Sequence, residues 1–172
     1  LWYEGAVREA MLRLKFRNTP GLAEPLGELL ARCAAERFVG EFDTVTWVPV
    51  SRKRLRKRGY DQSRLLAEAA CRHWDTAPVP LLNKVQDNPA QSGLRGESAR
   101  RANVLGVYDP AEPEKIRDRR ILLIDDIHTT GATLEECARV LRDSGAASVL
   151  CLTAARTPRT KKQEPPEDGG AR

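Results

Sequence analysis

Apolar residues recur at the spacing of an amphipathic helix in four parts of the chain. Pro20 suits the first turn of the second helix, Asp61 is a favourable N-cap for the third, and Gly145 is placed to end the fourth. The pattern therefore predicts four helices with one buried face each. Their apolar stripes lie within residues 4–16, 22–33, 61–74 and 134–141.

Three short apolar or β-branched segments predict strands: Asp43–Val50, Ile121–Asp125 and Ser148–Thr153. A helix lies between the last two, and such strand–helix–strand units build parallel sheets that are covered on both faces. We therefore predict an α/β fold with a doubly wound, mainly parallel sheet flanked by helices, which binds ligands beyond the carboxyl ends of its strands. Ser51–Gly59 is predicted to be a basic loop, and residues 75–103 have weak periodicity.

The composition fits one domain over residues 1–156. The chain has 172 residues, of which 41% are hydrophobic, and a formal net charge of +5. Residues 157–172 are rich in Lys, Arg, Glu, Pro and Gly, which predicts a disordered tail. The four cysteines are far apart, no apolar run approaches the roughly 18 residues of a membrane helix, and no signal peptide is recognisable. We therefore expect a cytoplasmic protein with no membrane segment.

The most informative segment is Ile121–Thr133, which reads ILLIDDIHTTGAT. Its apolar run predicts a buried strand that delivers Asp125 and Asp126 to the ligand-binding edge of the sheet. The residues that follow open a helix, whose amides and hydroxyls favour an anion, and Gly131 permits the close backbone approach that a phosphate needs. Vicinal ribose hydroxyls with a nearby Mg²⁺ suit the two acids. The segment therefore predicts a ribose 5-phosphate site.

The simpler alternative for the same segment is a turn at the two acids followed by an ordinary N-cap at Thr133. A bare pair of acids or a bare Thr-Thr-Gly would favour that alternative. The complete string between a strand and a helix favours the ligand site instead. Neither a Walker A loop nor a dinucleotide-binding G-x-G-x-x-G is present.

Ile121–Thr133 resembles the motif with which type I phosphoribosyltransferases bind 5-phosphoribosyl-1-pyrophosphate (PRPP). Val48–Gln62 resembles a segment of the ComF family, in which a Pro-Val strand end is followed by basic residues and an R-G-aromatic-N-Q pattern; Asp61 stands here in place of the usual Asn. Later residues fit the same family pattern, namely Gln91, Leu94, Arg100 and Asn103. The chain is thus identified as a member of the ComF family from about residue 3 to residue 153.

The resemblance implies PRPP as the ligand, Mg²⁺ as the cofactor, and transfer of a phosphoribosyl group to a nucleobase-type acceptor. It implies that Asp125 and Asp126 are catalytic and bind the metal indirectly. The 5-phosphate would be held by Thr129, Thr130, Gly131, Ala132 and Thr133, and the pyrophosphate by Ser51, Arg52 and Lys53. A hood at about residues 75–108 would contribute Lys84, Arg100 and Arg101 to the leaving group.

Other interpretations of the basic elements stay open. Ser51–Arg58 holds six Lys and Arg residues in eight positions, which is also typical of a solvated surface. The hood residues are equally consistent with an ordinary surface loop. ComF relatives are linked to natural transformation, so the alternative function is a non-catalytic competence accessory that binds single-stranded DNA or a competence helicase. A homodimer is a further expectation that the sequence leaves open.

Overall fold

A computed structural model describes residues 1–87 and 104–158 of the chain. These residues form five helices and five strands, with short 3₁₀ turns at Pro20–Leu22 and Pro113–Lys115. The helices are α1 Gly5–Phe16, α2 Ala23–Arg37, α3 Arg52–Arg58, α4 Gln62–Arg72 and α5 Ala132–Asp143. The strands are β1 Thr44–Trp47, β2 Leu82–Lys84, β3 Tyr108–Pro110, β4 Arg120–His128 and β5 Ser148–Arg156.

The central sheet is parallel, with the strand order β1-β4-β5. Side chains of a strand point alternately to its two faces, and β4 is apolar on both. Leu122 and Ile124 pack into a core with residues of α1, α2 and α4, whereas Ile121 and Leu123 pack into a second core with residues of α5. Helices therefore cover both faces of the sheet, which confirms the doubly wound prediction.

A second, two-stranded sheet lies beside this unit, in which β2 and β3 pair antiparallel. These strands lie near the two described ends of the predicted hood. Arg100 and Arg101, like Gln91, Leu94 and Asn103, lie outside the described residues, as does the predicted tail from residue 159 onward. Thr157 is described, and its amide donates a hydrogen bond to the carbonyl of His128 at 3.0 Å.

Two predictions of local structure were wrong. The basic segment after β1 is a helix, because Ser51 caps it by accepting a hydrogen bond from the amide of Arg54, Lys and Arg favour helices, and Gly59 ends it. Strand β4 also does not end at the two acids. It continues to His128, because β5 extends far enough to pair with it, placing Asp125 opposite Thr153.

Within the described residues, 1–87 and 104–158, no helix combines the length and the apolar character that crossing a membrane requires.

Candidate phosphoribosyl-binding site

The parallel sheet brings the segments that follow β1 and β4 to one edge. The amide of Val48, just past β1, still donates to the carbonyl of Ile124 in β4 at 3.0 Å. Residues 49–53 and residues 129–133 then leave neighbouring strands in the same direction. The topology therefore places the predicted pyrophosphate and 5-phosphate segments at neighbouring strand ends. The acid pair lies in β4, after the apolar residues of that strand and before the predicted 5-phosphate segment.

The two acids are buried and are hydrogen-bonded by helix residues. Asp125 Oδ1 accepts from Ser63 Oγ at 2.9 Å and from the amide of Asp126 at 2.8 Å. Asp126 Oδ2 accepts from Gln62 Nε2 at 3.1 Å and lies 2.9 Å from Lys15 Nζ. The first turn of α4 and the last turn of α1 therefore fix both carboxylates on β4.

The two carboxyl groups differ in charge because their surroundings differ. Burial and the neighbouring charge of Asp126 raise the pKa of Asp125 to about 7. Burial also acts on Asp126, but the ammonium of Lys15 outweighs it and lowers the pKa of Asp126. Burial opposes the charge of Lys15 as well, yet the pKa of Lys15 is raised by Asp126. Asp126 and Lys15 therefore form an ion pair beside a carboxyl group that retains a proton up to near neutral pH.

We predict that Asp125→Asn flattens the pH dependence of stability between about pH 4 and about pH 7. Asp125 has the ordinary aspartate pKa of 3.8 in the unfolded chain and a raised pKa in the folded protein, so folding takes up a proton in this range. The wild-type free energy of unfolding should therefore fall with rising pH, relative to that of the variant. The lowered pKa of Asp126 makes stability depend on pH only below the ordinary pKa of aspartate, and the raised pKa of Lys15 does so only above the ordinary pKa of lysine. Neither group therefore changes the pH dependence of stability between about pH 4 and about pH 7.

Urea unfolding of both proteins across this pH range measures the difference, and all other side chains are common to the two proteins. Glu28→Gln on the exposed surface of α2 is the control, whose difference from the wild type should vary much less with pH. A constant difference between the wild type and Asp125→Asn would contradict the raised pKa.

The loop after β4 contains a position that favours glycine. Gly131 is the N-cap of α5 with φ 86°, and no side chain caps the helix at this position. A Cβ at residue 131 would lie 2.9 Å from Nε2 of His128, so only glycine fits without a shift. The amide of Ala132 is 3.5 Å from Thr130 Oγ1. The amides and threonine hydroxyls at this helix end are the groups that were predicted to hold the 5-phosphate.

The segment after β1 is held by buried polar contacts. Asp61, which stands where the family usually has Asn, accepts from the amide of Val50 at 2.9 Å and from two amides at the start of α4. Ser51 is buried, and its Oγ donates to Asp87 Oδ1 at 2.7 Å. Lys53 Nζ lies 3.7 Å from Asp87 Oδ2 and is otherwise exposed. The carboxylate of Asp87 therefore contacts two of the three residues that were predicted to hold pyrophosphate, Ser51 and Lys53.

A cleft of about 1220 Å³ lies alongside β1, between helices α3 and α4 and residues 80–87. Ser51, Arg52, Lys53 and Lys84 all line it, whereas the two acids do not. Lys84 Nζ lies 5.1 Å from the ring centre of Tyr108, and burial, together with Arg54, lowers the pKa of Lys84 to about 8. The predicted pyrophosphate residues and Lys84 of the predicted hood thus line one cleft, while the acid pair lies deeper, under α1 and α4.

Mg²⁺ requires oxygen ligands in an octahedral arrangement. Among residues 1–87 and 104–158, no group of three or more His, Cys, Asp and Glu side chains could hold a metal ion. The acid pair offers oxygen atoms of the right chemistry but not a complete set of ligands. These residues therefore fit a Mg²⁺ that takes most of its ligands from bound phosphate, hydroxyl groups and water.

Sequence reasoning missed several residues that contact the predicted site. Lys15 was assigned only to an amphipathic helix, and Ser63 and Asp87 were assigned no role. Nothing in their local sequence marks them, because each reaches its partner from another element. The family pattern did mark Gln62, although not its hydrogen bond to Asp126.

Comparison with known proteins agrees with this geometry. The family model of the phosphoribosyl transferase domain matches residues 28–168. Relatives include the competence protein ComFC of Bacillus subtilis, 28% identical over 90% of this chain and 62% of its own length. Competence protein F of Haemophilus influenzae is 33% identical and the DNA utilization protein YhgH of Escherichia coli K12 is 29% identical, each over 84% of this chain and 65% of its own length.

The chain thus spans 62–65% of the length of these relatives. A solved structure of the allosteric regulatory enzyme of purine biosynthesis matches with a TM-score of 0.50 at 20% identity, covering 84% of this chain and 30% of that one. At this identity the match shows the fold alone, which is that of type I phosphoribosyltransferases. The chain belongs to the phosphoribosyl transferase domain family, and it is similar over most of its length to competence proteins.

Proposed function

We propose that the protein binds PRPP with Mg²⁺ and transfers its phosphoribosyl group to a nucleobase-type acceptor, with release of pyrophosphate. The observation that carries this proposal is the order of groups along the chain. Two buried carboxyl groups on β4 are followed by the N-terminus of α5, where Gly131 is the N-cap. A ribose 5-phosphate requires hydrogen-bond acceptors for its hydroxyl groups and an anion site a few ångströms away. Residues 125–133 supply both in that order.

In the proposed reaction a nitrogen of the acceptor forms a bond to C1 of the ribose, while the bond from C1 to the pyrophosphate oxygen breaks. Positive charge develops on the ribose and negative charge on the leaving group, so fixed charges and positioning lower the barrier. Asp125 and Asp126 hold the ribose hydroxyls, and the 5-phosphate is held by Thr129, Thr130, Gly131, Ala132 and Thr133. Mg²⁺, held by the acid pair through bound ligand and water, would supply positive charge that stabilises the leaving pyrophosphate.

Ser51, Arg52 and Lys53 bind the departing pyrophosphate, and Lys84 lies in the same cleft. In the ligand-free protein the hydroxyl of Ser51 donates to Asp87. Pyrophosphate carries more negative charge than one carboxylate and can accept from the same hydroxyl. On binding, pyrophosphate therefore replaces the carboxylate of Asp87 as the hydrogen-bond acceptor of the Ser51 hydroxyl.

Calorimetric titration with PRPP, in the presence and absence of Mg²⁺, tests the binding. A screen of bases for pyrophosphate release then tests the transfer. Binding of PRPP with Mg²⁺ together with base-dependent release supports the whole proposal. Binding without release under any base retains only the PRPP site, and no binding under either condition rejects the proposal.

Changing Arg52 and Lys53 to alanine should weaken PRPP binding but spare ribose 5-phosphate, which lacks the leaving group. Both side chains are exposed, so two screened contacts are lost and the affinity should fall about tenfold. The control is Arg32→Ala with Arg37→Ala, which removes the same charge from the exposed surface of α2. Equal losses of affinity for PRPP and ribose 5-phosphate would show that Arg52 and Lys53 act through overall charge and not through contact with the pyrophosphate.

The second candidate function is that of a non-catalytic competence accessory. Such an accessory binds single-stranded DNA or a helicase that handles this DNA. Two observations favour it: the relatives are named competence and DNA utilization proteins, and Arg56 and Lys57 are exposed on α3 beside the half-buried Arg58. Removing a phosphate contact should reduce the logarithmic salt slope of binding by about 0.7. Competition shows whether the two ligands share a surface: PRPP displaces DNA if one surface serves both, and the two bind independently if the basic clusters have separate roles.

A further inference from the structure

Asp87 lies three residues after β2 and contacts the start of α3 through both oxygens of its carboxylate. Oδ1 accepts a hydrogen bond from Ser51 Oγ at 2.7 Å, and Oδ2 lies 3.7 Å from Lys53 Nζ. All three residues line the cleft beside β1. An internal carboxylate therefore already contacts two of the groups that are proposed to bind pyrophosphate.

The surroundings of this carboxylate favour a negative charge. The hydrogen bond from Ser51 contributes most to the lowered pKa of Asp87. The charges of Lys53, Arg54 and Lys84 lower the pKa further, while desolvation acts in the opposite direction. The cations come from two separate elements, α3 and β2. Asp87 is therefore ionised at neutral pH, and it lies where a hydroxyl and several cations stabilise an anion.

The Ser51 hydroxyl can donate to only one acceptor at a time, because it carries a single proton. Its oxygen accepts a hydrogen bond from the amide of Arg54 at 3.3 Å, which caps α3, and its proton is donated to Asp87. Ser51 is only 3% exposed, so water has little access to it. A ligand oxygen that accepts the hydroxyl proton must therefore displace the carboxylate of Asp87.

The contact of Asp87 with α3 is only partly shielded from water. The side chain of Asp87 is 38% exposed and that of Lys53 is 80% exposed. Ion pairs that are exposed to solvent contribute little to stability, so this contact costs little to open. A carboxylate is almost never fully buried unless it is paired, and Asp87 is far from buried. Its exposure favours a contact that a ligand can replace over a fixed tie between residue 87 and α3.

We propose that Asp87 is an internal competitor for the pyrophosphate group, which lowers the affinity of the protein for every ligand that brings a diphosphate to Ser51. The inference rests on the proposed function and adds a residue that limits how tightly its substrate and its product are held. PRPP must displace the carboxylate to bind. After the bond from C1 to the pyrophosphate oxygen has broken, return of the carboxylate to Ser51 favours release of the pyrophosphate.

Asp87→Asn should raise the affinity for inorganic pyrophosphate and for PRPP about three- to tenfold. The protein binds a diphosphate only in the fraction of molecules whose Ser51 hydroxyl is released, and loss of the Asp87 charge enlarges that fraction. The size of the effect is that of a charge-assisted hydrogen bond, reduced because Asp87 is partly exposed. The affinity for ribose 5-phosphate should be unchanged, because its phosphate is proposed to bind at residues 129–133. Calorimetric titration with the three ligands measures these changes.

Asp109→Asn is the matched control. It makes the same substitution at an exposed position of β3, in the two-stranded sheet that also carries Lys84, and Asp109 is not among the residues that line the cleft. Its affinities for the three ligands should equal those of the wild type. Asp87→Ala is a second variant, which removes the hydrogen-bond acceptor as well as the charge and should also bind pyrophosphate more tightly.

Thermal unfolding without ligand separates competition from a structural role. The Asp87→Asn variant should be no more stable than the wild type, because an internal contact is lost, although it binds pyrophosphate more tightly. Weaker pyrophosphate binding in both Asp87 variants would show that Asp87 positions Ser51 for the ligand, which would overturn the proposal. Equal gains for pyrophosphate and ribose 5-phosphate, or equal gains in Asp87→Asn and Asp109→Asn, would show an effect of net charge alone.

The same titrations distinguish this inference from the proposed function. PRPP binding that is equal in the wild type and in Asp87→Asn removes the competition and keeps the PRPP site. Pyrophosphate binding that rises in Asp87→Asn, without PRPP binding to either protein, keeps the competitor and rejects the proposed phosphoribosyl transfer. PRPP binding without any binding of pyrophosphate to either protein removes Ser51 as a pyrophosphate ligand and overturns the inference.

Discussion

Replacing Asp125 and Asp126 together by asparagine should weaken PRPP binding by at least about a hundredfold. Each carboxylate, Asp125 in its ionised form, is proposed to accept a charge-assisted hydrogen bond from a ribose hydroxyl, worth about 1.5–3 kcal/mol, and two such losses give this factor. Asparagine keeps the shape of each side chain, so packing of β4 is retained. Titration with PRPP and Mg²⁺ measures the loss, and ribose 5-phosphate, which has the same hydroxyls, should lose affinity as well.

The structure adds a consequence for stability. Asp126→Asn leaves the ammonium of Lys15 without its carboxylate, so the double variant should also unfold more easily. Asp125→Asn alone keeps that pair and gives the cleaner binding measurement. The control, Glu28→Gln with Glu36→Gln, removes the same charge from the exposed surface of α2. An unchanged PRPP affinity in the folded double variant would refute the proposed site.

Gly27→Ala should destabilise the protein by about 2–3 kcal/mol, which corresponds to a fall in Tm of about 5–10 °C for a chain of this size. Gly27 lies where α2 crosses α4. A Cβ at residue 27 would lie 2.3 Å from the Cβ of Ala69 and 2.9 Å from the backbone nitrogen of Ala70. Helix backbone cannot yield as a long side chain can, so the two helices must separate. The gain in helix propensity, about 1 kcal/mol, offsets only part of this cost.

Gly21→Ala is the matched control, because a Cβ at residue 21 meets nothing within 4 Å. Its Tm should differ from that of the wild type by much less. Thermal unfolding of the three proteins measures both effects. A Tm for Gly27→Ala equal to that of the control would mean that α2 and α4 are not in close contact in solution.

Much of the fold could be predicted from local patterns. Helical spacing, strand-like apolar runs and the cap at Asp61 predicted α1, α2, α4, α5 and the three parallel strands, because each element buries one or both faces and its sequence shows it. The pattern failed at α3, where six cations were interpreted as a solvated loop. Capping by Ser51 and the helix propensity of Lys and Arg make this segment a helix despite its six like charges.

The sequence by itself determined the order of functional groups along one segment of the chain. Buried apolar residues come first, then Asp125 and Asp126, and then a helix that begins after a glycine. These residues are adjacent in the chain, so no tertiary information was needed. Only the tertiary structure decided that Lys15 pairs with Asp126 and that Asp87 contacts Ser51. Those contacts join residues from separate elements, whose approach is set by how the helices pack on the sheet and not by the local sequence of either partner.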